Sequence, residues 1–220
     1  MAMDLTGRRL LVAGDRRLVA AVAGDAAACG ADVVLVAEAR DQGEPSAAGH
    51  AIGDDGTAEA DIEHAMDRVL ERTGFDALIV MFAIEPMPPL DAAGRQPWDR
   101  GVIEPLRTTF WLVRRSVFEL LAAGRGGSIA IVMARGVGED AARSAAIVEG
   151  ALVALARSVA KEYGRRAITC NVVSGGATVA ALRAAAAAAL FLVSPAAGFV
   201  TGECLRVDEE TTGGVTADPV

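Results

Sequence analysis

Apolar positions in this chain come in short bursts that alternate with longer runs of helical spacing. Arg9 to Ala13 (RLLVA) is the first burst, closed by Gly14, and predicts a strand. A helix is expected from about Leu18 to Cys29, stopped by Gly30. Asp32 to Ala37 (DVVLVA) predicts a second strand, and the polar stretch Arg40 to Gly49 a connection. His50-Ala51-Ile52 is short for a third strand, and a helix should follow from about Ala58 to Arg72. Asp76 to Met81 (DALIVM) predicts the fourth strand, Ile84 to Pro97 a Pro-rich loop, and Trp98 to about Ala123 a long helix. Ser128 to Met133 and Ala167 to Val173 are β-branched bursts on either side of the Ala/Val/Leu-rich run Ser144 to Tyr163. Two apolar strands joined by a helix form a βαβ unit, which requires the strands to be parallel. Ser174-Gly175-Gly176 closes that unit; Ala177 to Leu190 predicts a short alanine-rich helix, and Leu205 to Asp208 a last strand. Thr211 to Val220 reads as a polar, frayed tail. No repeat or linker divides the pattern, so residues 1–220 are expected to form a single α/β domain with helices on both faces of a parallel sheet.

Composition narrows what such a domain does. More than half of the 220 residues are apolar but only 4% are aromatic, so the core must be built from Ala, Val and Leu. A net charge of −8, with no basic patch, argues against nucleic acid and against an anionic membrane surface. Ala184 to Val193 is apolar but too short to span a bilayer, and no signal peptide is read at the N-terminus. Three scattered cysteines (Cys29, Cys170, Cys204) point to a reducing compartment, and a cytoplasmic location is expected. Neither His50 nor His64 lies in a metal-ligand spacing, so no metal site is expected.

Two segments carry a resemblance. ALVALARSVAKEYGRRAITCNVV, Ala151 to Val173, resembles the stretch that follows the active-site tyrosine in the short-chain dehydrogenase/reductase family. Ser194 to Asp208 resembles that family's C-terminal helix end and strand approach. At the level of pattern the resemblance spans Leu5 to Asp208, and it implies a Rossmann-like doubly wound sheet of about seven strands. The family's catalytic residues are carried over poorly. Anchored on Ala151-Leu152, the tyrosine position holds Ala145 and the lysine position Glu149. The serine position holds Ala134 (Met133 if the register slips by one), and the relay asparagine position holds Pro105. Alanine has no proton to give, proline no side-chain hydrogen bond, and Glu149 places a negative charge where a positive one is needed. Tyr163, the chain's only tyrosine, lies far down the helix, and Ser144, the hydroxyl nearest the tyrosine position, has no lysine or histidine partner in sequence.

The cofactor motifs are degraded in the same way. In this family the phosphates sit at the first helix N-terminus, over a Thr-Gly-x-x-x-Gly-x-Gly loop; here the stretch is Ala13-Gly14-Asp15-Arg16-Arg17-Leu18-Val19-Ala20. Only Gly14 survives. Arg16 and Arg17 could replace backbone donors, but two solvated arginines on a loop is the plainer reading. Glu38, one step past the second strand, and Asp55, before the next helix, are vestigial candidates for the ribose and adenine contacts; a solvated strand end and a turn residue explain them equally well. Val80-Met81-Phe82-Ala83 stands where the family has Asn-Asn-Ala-Gly and suggests a filled cleft, and the family's substrate loop is mostly deleted after Gly176.

The resemblance therefore implies a degenerate member: a non-catalytic subunit that carries no NAD(P) itself and assembles with an active relative that does. The expected contact runs through helices 98–123 and 144–164, the second offering Ala146, Gly150, Ala151, Leu152, Ala154 and Leu155 as a small-residue face. By analogy with mixed oxidoreductases, the complex acts on a hydroxyacyl-CoA or a similar alcohol or ketone. The alternatives are a carboxylate-assisted lyase or isomerase using Glu149, Glu139 and Asp140, an oxidoreductase with an altered cofactor mode, and a ligand-binding sensor.

Overall fold

The computed structural model describes residues 3–38, 49–52, 58–70, 74–136 and 138–207. Seven parallel strands form one sheet in the order β3-β2-β1-β4-β5-β6-β7. They are β1 (Arg9–Gly14), β2 (Asp32–Glu38), β3 (Gly49–Ile52), β4 (Ala77–Ala83), β5 (Gly127–Arg135), β6 (Ile168–Gly176) and β7 (Cys204–Val207). The helices are α1 (Arg16–Ala28), α2 (Ala58–Leu70), α3 (Arg95–Trp98), α4 (Glu104–Ala123), α5 (Glu139–Tyr163) and α6 (Val179–Val193).

The unbroken apolar bursts are explained by burial on both sheet faces. Along β4, Leu78, Val80 and Phe82 enter one core, while Ala77, Ile79 and Met81 enter the other. β5 alternates in the same way: Ile129, Ile131 and Met133 against Ala130 and Val132. α2, α4 and α5 cover the first face and α1 and α6 the second. The chain moves outward from β1 to β3, then returns to place β4 on the other side of β1. In such sheets the crevice for a ligand opens at the carboxyl ends of the strands, beside this reversal.

Two helix boundaries and the burial of one residue differ from the sequence expectation. α5 starts five residues before Ser144, at Glu139, because its first two residues, Glu139 and Asp140, are charged and exposed and give no apolar signal. The long helix expected from Trp98 is broken: α3 runs into a π turn over Asp99–Ile103 before α4 begins. Pro105 is the second residue of α4, directly after the π turn, and the Glu104 N–H reaches back to the Asp99 carbonyl. Leu152, expected on the outer face of α5, is fully buried against its own sheet.

A buried amide helps to hold the approach to β7. Asn171 donates through Nδ2 to the Val200 carbonyl (2.9 Å) and accepts through Oδ1 from the Glu203 N–H (3.1 Å). Asn171→Ala leaves both backbone groups without their partner and should lower stability by about 2 kcal/mol in urea unfolding. An unchanged midpoint would show that water replaces the amide.

Candidate active-site cleft

The carboxyl ends of β1, β4, β5 and β6 bring the sequence-predicted positions together. Gly14, the last residue of β1, has φ +123°, and a Cβ added there would lie 1.9 Å from the Met81 carbonyl oxygen. The Asp15 N–H donates to that same oxygen at 2.8 Å. This glycine is therefore required by the close approach of β1 to β4, whatever binds above it. The Asp15 carbonyl accepts the N–H groups of Leu18 (3.0 Å) and Val19 (2.9 Å), so α1 begins almost directly after the strand. Leu18 and Val19 pack into the core beneath α1 at the positions where loop glycines were sought. Arg16 is exposed, in keeping with the solvated reading. Glu38 ends β2 opposite Ile52, and its side chain, like the whole of Asp55, lies outside the described residues.

Across the sheet, Ala134 is buried between its register partners Ala83 and Gly175. Ala145 is buried on the inner side of α5, and Glu149 follows one turn later with its side chain 13% exposed. Ser174 and Arg206 are direct partners in the β6–β7 register, so both side chains rise on the face that α5 covers. Ser174 Oγ donates to Glu149 Oε2 at 2.5 Å, and Arg206 donates to Glu149 Oε1 through Nη2 (2.5 Å) and Nε (3.2 Å). Partial burial pushes the Glu149 carboxyl up. The hydrogen bonds from Ser174 and Arg206, with the charges of Arg206 and Arg135, outweigh that and hold it below the ordinary glutamate value. The negative charge that looked misplaced in the sequence is thus neutralised by groups that no local spacing reveals.

The remaining candidates lie apart. Ser144 is fully buried and donates to the Glu85 carbonyl at 2.8 Å, tying the loop after β4 to α5. Asp140 pairs with Arg143, and neither it nor Glu139 lines the cavity beside Glu149. Tyr163 packs against the core at the far end of α5. Burial drives the Cys170 thiol up to about 12, and burial together with Glu149 raises that of Cys204, which disfavours the thiolate at both. Among the described residues no group of three His, Cys, Asp or Glu side chains could hold a metal, and no helix is long and apolar enough to cross a membrane.

The family model described as enoyl-(acyl carrier protein) reductase matches residues 12–185, most of the chain. This chain belongs to the short-chain dehydrogenase/reductase family. Solved structures agree on the fold. A gluconate 5-dehydrogenase from Burkholderia cenocepacia, in complex with NADP and tartrate, superposes with a TM-score of 0.79 at 23% identity, over 97% of this chain and 98% of that one. A short-chain dehydrogenase/reductase from Serratia marcescens gives 0.77 at 21% identity, over 95% and 99%. A short-chain type enzyme from Mycobacterium ulcerans gives 0.76 at 21%, over 94% and 90%.

For a member of the short-chain dehydrogenase/reductase family, the residues present fit a dinucleotide poorly. The β1–α1 turn is too short to cradle a pyrophosphate in glycine N–H groups, and Asp15 brings an acidic residue to that point. At the other end, Glu149 turns both carboxylate oxygens to Ser174 and Arg206 instead of offering an ammonium.

The Glu149 cluster has a pH signature. A carboxyl held below its unfolded value contributes stability above the unfolded value and loses it as pH falls through the folded one. Glu149→Gln should therefore cost about 2 kcal/mol near pH 7, and the gap to the parent should close below about pH 4. Urea midpoints taken from pH 7 to pH 3 check this; a gap independent of pH would remove the ion pair from the account.

Proposed function

We propose that this protein is a non-catalytic short-chain dehydrogenase/reductase subunit, which binds no NAD(P) of its own and completes an oligomer with an active relative that does. The observation that carries the reading is the Glu149 cluster. The positions that would perform proton transfer hold Ala145 and Ala134, and the position that would hold the ribose is built into an ion pair joining α5 to β7. With its carboxyl held below the ordinary value and bonded on both oxygens, Glu149 is a weak base, which argues against carboxylate-assisted chemistry.

The outer surfaces of α4 and α5 support association. Phe110 (45% exposed) and Phe118 (65%) stand on the outer side of α4, and Ala146, Ile147, Gly150, Ala151 and Ala154 form the exposed stripe of α5. Trp111 lies edge-on to Phe110 at 5.2 Å and under the Arg114 guanidinium at 5.1 Å, so the aromatic group is held in place before any partner arrives. Large aromatics beside a small-residue stripe suit helix-on-helix packing with a second subunit of the same fold. By family analogy alone, the substrate of the complex is a hydroxyacyl-CoA or a related alcohol or ketone.

Native mass spectrometry of the tagged chain, drawn from its own host, tests this. The expected species is a mixed dimer or tetramer with an intact dehydrogenase that alone carries nucleotide. A homo-oligomer holding its own nucleotide would overturn the reading.

A further inference from the structure

At the opposite end of the sheet from the cleft, the turns that lead into β5 and β6 lie against each other, and the Gly127 N–H donates to the Ala167 carbonyl at 3.0 Å. α5 arrives there with Lys161 in its last turn, and the 3-10 turn Gly164–Arg166 adds Arg165 and Arg166. All three residues are exposed, and among the described residues none of them is in an ion pair. Arg125 stands in the adjoining turn, 3.3 Å from Asp76, whose carboxylate also accepts the Arg9 N–H. Arg157, close to Gly202 and so beside the acidic Glu203, lies at the edge of the group. From Arg157 to Arg166 the only acid is Glu162. The turn itself is strained. Ala167 has φ +57° and is the only residue other than glycine in the left-handed region among the described residues. Its N–H donates to the Gly164 carbonyl at 3.0 Å, so the two arginines leave a fixed turn, not a loose loop. Three unpaired cations in a chain of net charge −8 concentrate positive potential at this corner, and the negative pole of α5 eases their mutual repulsion.

We infer that this corner docks an acidic polypeptide segment of a partner protein, with carboxylates on the guanidinium forks of Arg165 and Arg166 and on the Lys161 ammonium. A nucleic-acid duplex or an anionic bilayer extends its charge well past three cations and meets the repulsion of the acidic remainder of the chain. A short run of carboxylates does not. The site is remote from the cleft, so the inference stands apart from what the cleft does or has lost.

The test is fluorescence anisotropy, with the full chain titrated into labelled decaglutamate, a labelled uncharged Gly-Ser peptide of the same length, and a labelled DNA duplex. Decaglutamate should bind saturably at low salt, and physiological salt should weaken it. Arg165→Glu with Arg166→Glu should weaken it roughly tenfold or more, whereas Arg183→Glu, at an exposed position of α6, should leave it unchanged. Should the charge reversals prevent folding, Lys161→Gln with Arg165→Gln serves instead and should act in the same direction. Absence of saturable binding, equal binding of the uncharged peptide, tighter binding of the duplex, or decaglutamate binding indifferent to the turn variants would overturn the inference.

Discussion

Gly14→Ala should yield no folded protein. An added methyl group would lie 1.9 Å from the Met81 carbonyl oxygen, and φ of +123° is a conformation that an alanine scarcely visits. Relief would require β1 to move away from β4, yet these are neighbouring strands in the middle of the sheet, in register from Leu10↔Ala77 to Gly14↔Met81. The Asp15 N–H bond to the same oxygen would be lost with them. Backbone strain and the broken pairing together should cost about 4 kcal/mol or more, a large part of the stability of an ordinary domain. Gly24→Ala is the control. Gly24 lies within α1 with no atom near its missing side chain, and the change should be neutral or stabilising by up to about 1 kcal/mol. Soluble yield and circular dichroism of the two variants decide the matter. A folded, stable Gly14→Ala protein would show that the glycine is not held by the β1–β4 contact.

The second large effect is expected from restoring the family's residues. Ala145→Tyr with Glu149→Lys should produce no dehydrogenase activity, and Glu149→Lys by itself should destabilise the fold. A lysine at 149 would join Arg135 and Arg206, replacing an ion pair with three like charges, and would leave Ser174, which is fully buried, without its acceptor. Breaking a half-buried pair and adding repulsion should cost about 3 kcal/mol. The added tyrosine hydroxyl would find no pyrophosphate cradle to position a cofactor, because α1 still begins directly above Gly14. Denaturant unfolding of the single variant and a nicotinamide-reduction assay of the pair, with simple alcohols, check both halves. Turnover by the restored pair would sink the proposal that the nucleotide site is closed. Unchanged stability of Glu149→Lys would show that the Arg206 pair contributes little.

The strands could be read from sequence because parallel strands buried on both faces leave apolar bursts that polar turns interrupt, as in RLLVA and DALIVM. The alanines at 134 and 145 were equally legible, since the absence of a hydroxyl needs no coordinates. What the sequence hid was long-range pairing. Glu149 and Arg206 are 57 residues apart, and only the β6–β7 register, which sets Ser174 beside Arg206, shows that both reach the same carboxylate. Gly14 carries a second constraint of the same kind: it resembles the first glycine of a phosphate loop, and its geometry also answers to Met81, far away in sequence but on the neighbouring strand. The π turn between α3 and α4 leaves its trace in Gly101 and Pro105, but the extra residue in its turn leaves no mark on the apolar spacing.

Strand order also sets the sequence of events as the chain leaves the ribosome. β2 emerges soon after β1 and can pair with it at once, but the other edge of β1 must wait for β4, whose first paired residue, Ala77, lies opposite Leu10. Until then a strand that is apolar beyond Arg9 and destined for the middle of the sheet has one row of N–H and C=O groups unpaired. The later strands are not delayed in this way, because β5, β6 and β7 each pair with the strand made just before them. The vulnerable interval in biosynthesis is therefore the time taken to translate the chain between β2 and β4, and slower elongation over that stretch lengthens the exposure of a nascent, aggregation-prone edge.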